Sequence, residues 1–159
     1  MSGVPSALRP RTAARLCAVQ ALYQIDLTTA VADEVIAQFL AHRIGHVLEG
    51  VDYRGADREL FRAIVAGTIA RAGEIDPRLA AALGEGWTLA RIDNILRAIL
   101  RAGAFELLAH PDVPVRVVIT EYIDVAHAFF SGPEPGVVNG VLDRLAHELR
   151  APELERRVP

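Results

Sequence analysis

Three arginines near the amino terminus are the residues whose type and spacing first suggest a chemistry. Arg9, Arg11 and Arg15 lie within residues 1–25, which contain no carboxylate, although the whole chain has a net charge of −3. Polyanion binding depends on the local field, so such a patch can attract phosphates on an acidic protein. Because Arg11 and Arg15 are four residues apart, a helix would point them the same way. We predict an RNA-binding arm; a solvated basic terminus, which is commoner, is the alternative.

Two histidines offer a second candidate chemistry, metal binding. His42 and His46 are four residues apart on a predicted helix, the spacing of two ligands on one face. Glu49 follows them, but no activating carboxylate lies between them as it does in a metalloprotease helix. A surface pair of histidines is the better interpretation, and we predict no metal and no cofactor.

The remaining polar groups favour structural roles. Asp93 and Arg97 have the spacing of an ion pair on a helix surface. Glu106 is surrounded by apolar residues, which predicts a buried carboxylate that accepts hydrogen bonds. The glycines between positions 132 and 140 follow a helix and not a strand, so they do not form a phosphate-binding loop. We predict no catalytic residue and a protein that is not an enzyme.

Composition bounds the class of protein. The chain has 159 residues, of which 52% are hydrophobic and 23% charged, with a mean hydropathy of +0.25. These values are typical of one well-packed domain. No apolar run approaches the ~18–20 residues that span a bilayer, and no signal-peptide pattern is present. Cys17 is the only cysteine, so no intrachain disulfide can form and a cytoplasmic location is expected.

The elements that must position these residues are helices, because the apolar spacing is helical along nearly the whole chain. The predicted helices are a first over 13–27, a second from Ile36 to Val47, a third capped by Asp57, a short fourth opened by Asp76-Pro77, a fifth capped by Thr88, a sixth from Pro114 to Phe130 and a seventh from Val138 to Leu149. The fifth has the widest apolar band and is expected to be central. Trp87 before it is interpreted as a hydrophobic anchor, with base stacking as the alternative.

One segment invites a different assignment. Residues 113–120 are rich in β-branched side chains, which favour a strand. A three-four apolar rhythm nevertheless continues to Phe130, and periodicity over that length favours a helix. The sequence therefore predicts an all-α protein with no strand, followed by a frayed tail at 151–159.

Four segments, read in order, resemble the NusB family of bacterial transcription antitermination factors. They are CAVQALYQ at 17–24, ILRAGAFELL at 99–108 with Trp87 and Arg91-Ile92-Asp93 ahead of it, DVP at 112–114 with VITE at 118–121, and VNGVLD at 138–143. Because the segments keep the family order, the resemblance covers about residues 11–149.

The resemblance implies a fold and a function. The fold would be one NusB-like domain over 1–150, with about seven helices in two packed bundles, roughly 1–84 and 85–150. The function would be non-enzymatic: binding of the boxA element of nascent ribosomal RNA together with the ribosomal protein NusE. That pair would act in an antitermination complex with RNA polymerase and other Nus factors.

The resemblance also implies site residues. Those expected to bind RNA are Arg9, Arg11, Thr12, Arg15 and Tyr23. Those expected to contact the protein partner are Arg91, Asn94, Arg97, Glu134 and Val137. Tyr23 would lie two to three turns beyond the arginines, roughly on their side of the helix.

Several positions depart from the family pattern. Thr12 and Ala13 stand where many members have basic residues, so weaker and less salt-sensitive RNA binding is expected. Leu96, Thr120 and Val137 also replace the usual residues.

One alternative remains at this point, a helical interaction scaffold or homodimer that does not bind RNA. The helices also resemble the N-terminal domain of a ribosomal RNA cytosine methyltransferase. We expect that interpretation to fail on length, because such an enzyme needs a following α/β domain.

Overall fold

A computed structural model describes residues 8–155, which form helices and one two-stranded hairpin. The helices are α1 (Pro10–Thr28), α2 (Ala32–His42), α3 (Arg58–Ala70), α4 (Ala72–Ala82), α5 (Asn94–Ala109), α6 (Val115–Phe129), α7 (Glu134–Leu149) and α8 (Ala151–Glu155). The strands are β1 (Val47–Leu48) and β2 (Val51–Asp52). The predicted all-α class is confirmed. Every helix in the described range is too short or too polar to cross a membrane.

Helix α5 lies at the centre of the fold, as its wide apolar band predicts. It packs against α1, α3, α4, α6 and α7, and Trp87, ahead of it, packs against the same core. Glycines allow two of these close approaches. A Cβ atom on Gly67 of α3 would lie 2.3 Å from the Phe105 ring, and one on Gly103 would lie 2.7 Å from Cδ1 of Leu142 on α7. The predicted division into two bundles stays a prediction.

Of the two predicted helix caps at Asp57 and Thr88, the structure confirms the first and contradicts the second. Asp57 caps α3 as expected, because its carboxylate accepts a hydrogen bond from the Leu60 N–H at 3.0 Å. The prediction that Thr88 caps α5 is wrong. Asp93 does so by accepting from the Ile95 N–H at 2.7 Å, while residues 88–92 form a turn of their own.

The fourth helix begins earlier than predicted. It starts at Ala72 and contains Pro77 in its interior. The missing Pro77 N–H would have bonded to the Gly73 carbonyl four residues back, and Gly73 is exposed, so water can satisfy that carbonyl. Asp76 is not a cap: it accepts from Arg101 of α5 at 2.8 and 2.9 Å and so ties α4 to the centre of the fold.

A small hairpin interrupts the predicted second helix. Helix α2 ends at His42, and Val47 belongs to β1, where it pairs antiparallel with Asp52. Glu49 and Gly50 both have positive φ, at 52° and 78°, which suits the two-residue turn of a tight hairpin. The prediction of no strand is wrong here, because two-residue strands are too short to produce a readable alternation.

The first part of the predicted frayed tail is ordered as α8. Arg150 just before it is buried and donates hydrogen bonds to the carbonyl oxygens of Pro111 and Val113 at 3.0 and 2.6 Å. Glu153 accepts from the Val115 N–H at 2.8 Å. These bonds fix α8 against the start of α6. Residues 156–159 of that predicted tail lie outside the described residues.

Candidate nucleic-acid interface

The start of α1 presents two of the predicted arginines to solvent. Pro10 occupies the first helical position, where its missing N–H has no partner to lose. Its carbonyl accepts from the Asp57 N–H at 2.9 Å, which fixes this end of α1 beside the start of α3. Arg9 and Arg11 are exposed on either side of Pro10, and neither forms an ion pair within residues 8–155. Both guanidinium groups are available to a phosphate.

Arg15, one turn further along α1, points into the protein. Its side chain is 2% exposed, and Nε and Nη2 donate to Oε2 and Oε1 of Glu106 on α5 at 2.7 and 2.9 Å. Nη1 donates to Oε1 of Glu121 on α6 at 2.8 Å. The prediction that Arg15 points the same way as Arg11 is therefore wrong, while an RNA-binding role for Arg15 stays a prediction. The fully buried Glu106 carboxylate requires a buried cation, and Arg15 supplies it.

Thr12, Arg15, Glu106, Glu121 and Tyr122 form what we call the Arg15 cluster. Tyr122 donates its hydroxyl proton to Oε2 of Glu106 at 2.5 Å, so the buried carboxylate accepts three hydrogen bonds in all. This confirms the predicted role of Glu106. Thr12 Oγ1 donates to Oε1 of Glu121 at 2.8 Å, so the predicted RNA-binding hydroxyl has already used its proton and can only accept a further bond.

The charge state of the cluster follows from these bonds. Burial opposes the charge on Arg15, but the hydrogen bonds and charge of Glu106 outweigh it and raise the pKa of Arg15. Burial likewise opposes the Glu106 charge, but Arg15 and Tyr122 lower the pKa of that carboxyl. Burial and the Glu106 charge raise the pKa of Tyr122 well above its usual value. At neutral pH Arg15 and Glu106 are therefore charged and Tyr122 is neutral. Together with Glu121 and Thr12 they form an internally bonded cluster that joins α1, α5 and α6.

An open cleft of about 680 Å³ lies between the start of α1 and the first turns of α6. Its lining residues from α1 and the N-cap before it are Arg9, Pro10, Arg11, Thr12 and Arg15, and those from α6 are Arg116, Val117, Thr120 and Glu121. Arg116 was not predicted as a site residue. It lies more than a hundred positions from Arg11 in the sequence, and only the packing of α6 beside α1 brings both to one cleft.

Tyr23 lies in a different cleft. It is half-buried and shares that cleft with Gln20, Arg43 and Phe129, among others. Twelve residues of helix place it about 18 Å along the axis from Arg11 and about 120° around it. The prediction that Tyr23 and the arginines share one side of α1 is therefore wrong, while an RNA-binding role for Tyr23 stays a prediction.

The predicted partner residues around the start of α5 differ in availability. Arg91 is exposed and forms no ion pair within the described residues. Arg97 is 12% exposed, donates to Oδ2 of Asp26 at 3.0 Å and to the Leu89 carbonyl at 2.7 Å, and also bonds Asn94. The predicted Asp93–Arg97 ion pair is therefore wrong. Arg97 and Asn94 are committed to internal bonds, whereas Arg91 is free to contact another molecule.

The other two predicted partner residues lie on α7. Glu134 and Val137 are both half-buried near its start, and Val137 packs against the core. The role of all five residues in partner binding stays a prediction.

Metal-binding and nucleophilic groups are not gathered at either cleft. His42 and His46 are both exposed, and His46 Nε2 lies 3.2 Å from the Ala41 carbonyl oxygen. Residues 8–155 contain no group of three or more potential metal ligands. Cys17 is buried in α1, and this burial raises the pKa of its thiol to about 12. It is therefore protonated at neutral pH.

Comparison with known proteins decides the family. The model of the NusB family matches residues 12–147. The chain belongs to the NusB family. The match includes the Arg15 cluster and Arg116, while Arg9 and Arg11 lie just before it.

Relatives and solved structures agree with this assignment. The transcription antitermination protein NusB of Allorhizobium ampelinum is 50% identical over 145 residues, covering 91% of each chain. The protein of the same name from Rhodopseudomonas palustris is 49% identical over 146 residues, covering 92% of this chain and 86% of the relative. The solved structure of T. maritima NusB superposes with a TM-score of 0.74 at 28% identity, covering 92% and 98% of the two chains.

A further NusB-family structure was solved as a complex. It contains the antitermination factors NusB and NusE with double-stranded RNA, and it superposes with a TM-score of 0.73 at 21% identity, covering 89% of this chain and 98% of that one. At that identity the likeness concerns the fold alone.

Proposed function

We propose that this chain is a cytoplasmic, non-enzymatic transcription antitermination factor that binds boxA RNA of nascent ribosomal transcripts together with NusE. In this role it acts within an antitermination complex that contains RNA polymerase and other Nus factors. The observation that carries the proposal is the cleft between α1 and α6, where Arg9, Arg11 and Arg116 are exposed without ion pairs in the described range. Membership of the NusB family supports the choice of RNA as the ligand.

The chemistry of the cleft suits phosphate binding. An unpaired guanidinium donates strong, charge-assisted hydrogen bonds to phosphate oxygens, and the cleft retains its positive field although the chain is acidic overall. Glu121 contributes one negative charge to the wall of the cleft, but the three exposed arginines outnumber it, so the field there stays positive. The buried ionisable groups bond one another inside the fold, which favours a structural role for them over a catalytic one.

Few cations imply a modest affinity without a partner. Each phosphate contact on a single strand contributes about 0.7 to the slope of log affinity against log salt concentration, so three arginines give a shallow slope of about 2. Joint binding with NusE would supply the missing contacts, because a second binding surface held close acts at a high effective concentration.

Mobility-shift titrations with a boxA RNA and a scrambled RNA of the same length, with and without NusE, test this function. We expect boxA to bind more tightly than the scrambled RNA, and NusE to strengthen that binding. Arg11→Gln should weaken it, whereas Arg62→Gln should not, because Arg62 is exposed on α3 and does not line the cleft. Equal binding of both RNAs in the presence of NusE would favour the scaffold or homodimer alternative.

A further inference from the structure

Arg116 of α6 is a cation without a visible structural role. It is the second residue of α6 and is exposed, and it forms no ion pair or hydrogen bond through its side chain within residues 8–155. A positive charge in the first turn of a helix is disfavoured by the helix dipole. Arg116 therefore does not stabilise the helix that carries it, which leaves its guanidinium free for a ligand.

The surroundings of Arg116 combine three kinds of contact. Arg9 and Arg11 face the same cleft from α1 and its N-cap and supply further positive charge. Thr120, one turn after Arg116, is exposed with a free hydroxyl in the described structure. Val117 is 42% exposed between them. Charge for phosphate, a hydroxyl for the ribose 2′-OH and an apolar contact for a sugar or base together fit a nucleotide chain.

These contacts favour RNA over an acidic protein segment. Arginines alone suffice to bind carboxylates, whereas the hydroxyl and the exposed valine beside them also match the ribose and base of a nucleotide. The carboxylate that lines the cleft, Glu121, accepts from Arg15 and Thr12 at 2.8 Å each and forms no ion pair with Arg9, Arg11 or Arg116 in the described structure. The cleft thus keeps its cations for a ligand that carries phosphates.

We propose that Arg116 is a second RNA anchor, so that the bound strand crosses from α1 to α6 instead of following α1 alone. Arg11 and Arg116 bind different phosphates of that strand, one on each side of the cleft. This inference rests on the proposed function and assigns part of the RNA path to α6, a helix on which the sequence predicted no RNA-binding residue.

Salt-dependent titrations of boxA RNA in the presence of NusE test the proposal. Removing one phosphate contact to a single strand should lower the RNA affinity about 5-fold at 0.1 M salt. It should also lower the salt slope, the slope of log affinity against log salt concentration, by about 0.7. We expect both losses for Arg116→Gln, while Arg116→Lys keeps the slope and Arg62→Gln matches the wild type. If the two arginines bind different phosphates, the double variant Arg11→Gln/Arg116→Gln should bind RNA about 25-fold more weakly than the wild type, because the free-energy losses at independent sites add.

The possible results distinguish a failure of this inference from a failure of the proposed function. If wild-type protein with NusE does not prefer boxA, both fail. If Arg11→Gln weakens binding but Arg116→Gln matches the wild type at every salt concentration, only the second anchor fails. If Arg116→Gln lowers the affinity for NusE and leaves RNA binding unchanged, the cleft serves an acidic protein segment and the inference is overturned. Circular dichroism melts should show unchanged folding for each variant.

Discussion

Arg15 and Glu106 are joined by two hydrogen bonds across 91 positions of sequence, from Nε to Oε2 at 2.7 Å and from Nη2 to Oε1 at 2.9 Å. The two side chains are 2% and 0% exposed. The pair links α1 to α5, and Arg15 continues to Glu121 on α6. It therefore holds the start of α1 beside α6, which sets the width of the cleft between Arg11 and Arg116.

Removing one member of this pair should destabilise the fold. Glu106→Gln or Arg15→Met leaves a buried charge without its main partner, and breaking such pairs costs about 3–5 kcal/mol. We expect about 3 kcal/mol for Glu106→Gln, because Glu121 still faces Arg15. The measurement is the free energy of unfolding in urea. The double variant Arg15→Met/Glu106→Leu should recover much of the loss, since an apolar replacement of a buried pair is often tolerated.

Arg62→Gln is the matched control for these variants, because it removes an exposed arginine that has no ion pair in the described range. It should change the free energy of unfolding by less than about 0.5 kcal/mol. If Glu106→Gln also changed the free energy of unfolding by less than about 0.5 kcal/mol, the buried pair would contribute little to stability.

The same pair predicts how stability depends on pH. The pKa of Glu106 is lowered in the folded protein, whereas its unfolded value is about 4.3. The stability it provides is therefore complete above about pH 4.3 and is lost as the pH falls toward the folded pKa. Asp52 acts in the same direction, because hydrogen bonds from Arg54 lower its pKa to about 2.

Urea midpoints measured from pH 7 down to about pH 3 should therefore fall more steeply for the wild type than for Glu106→Gln, which no longer carries the linked carboxyl group. The difference in stability between the two proteins should shrink on acidification. Parallel curves over this range would contradict a charged Glu106.

The sequence predicted most helices because each has an apolar face of its own. The sequence misplaced the start of a helix where two neighbouring positions could each begin it. Thr88 and Asp93 are both good capping residues, and only the turn between them decides that Asp93 begins α5. Pro77 resembled a helix start, but α4 continues on both sides of it, and Asp76 pairs with Arg101 of α5 instead of capping a helix.

The candidate site was only partly predictable for a similar reason. Arg11 and Arg15 look equivalent in sequence, and their different environments arise from contacts that α1 makes with α5 and α6. One signal did exist: Glu106, predicted as a buried carboxylate, required a buried cation. No local pattern identifies Arg15 as that cation, or places Arg116 across the cleft from Arg11.

The contact between α3 and α5 should be sensitive to one methyl group. A Cβ on Gly67 would lie 2.3 Å from Cε1 and Cζ of Phe105, whose ring is buried. Gly67→Ala should therefore lower the free energy of unfolding by about 1–3 kcal/mol through overpacking. Gly140→Ala on α7 is the matched control, since its Cβ would lie 3.7 Å from the Arg144 guanidinium, and alanine should gain up to about 1 kcal/mol in helix propensity. Equal melting temperatures for the two variants would contradict this packing.

The burial of Arg15 makes a prediction about RNA binding itself. When an arginine that contacts a phosphate of single-stranded RNA is removed, the salt slope falls by about 0.7. Arg15→Met/Glu106→Leu removes one positive and one negative charge, so the net charge of the Arg15 cluster is unchanged. We expect its salt slope with boxA RNA and NusE to match the wild type in fluorescence anisotropy titrations, while Arg11→Gln loses about 0.7. If the folded double variant loses as much slope as Arg11→Gln, Arg15 contributes to RNA binding, either by direct contact or by setting the width of the cleft.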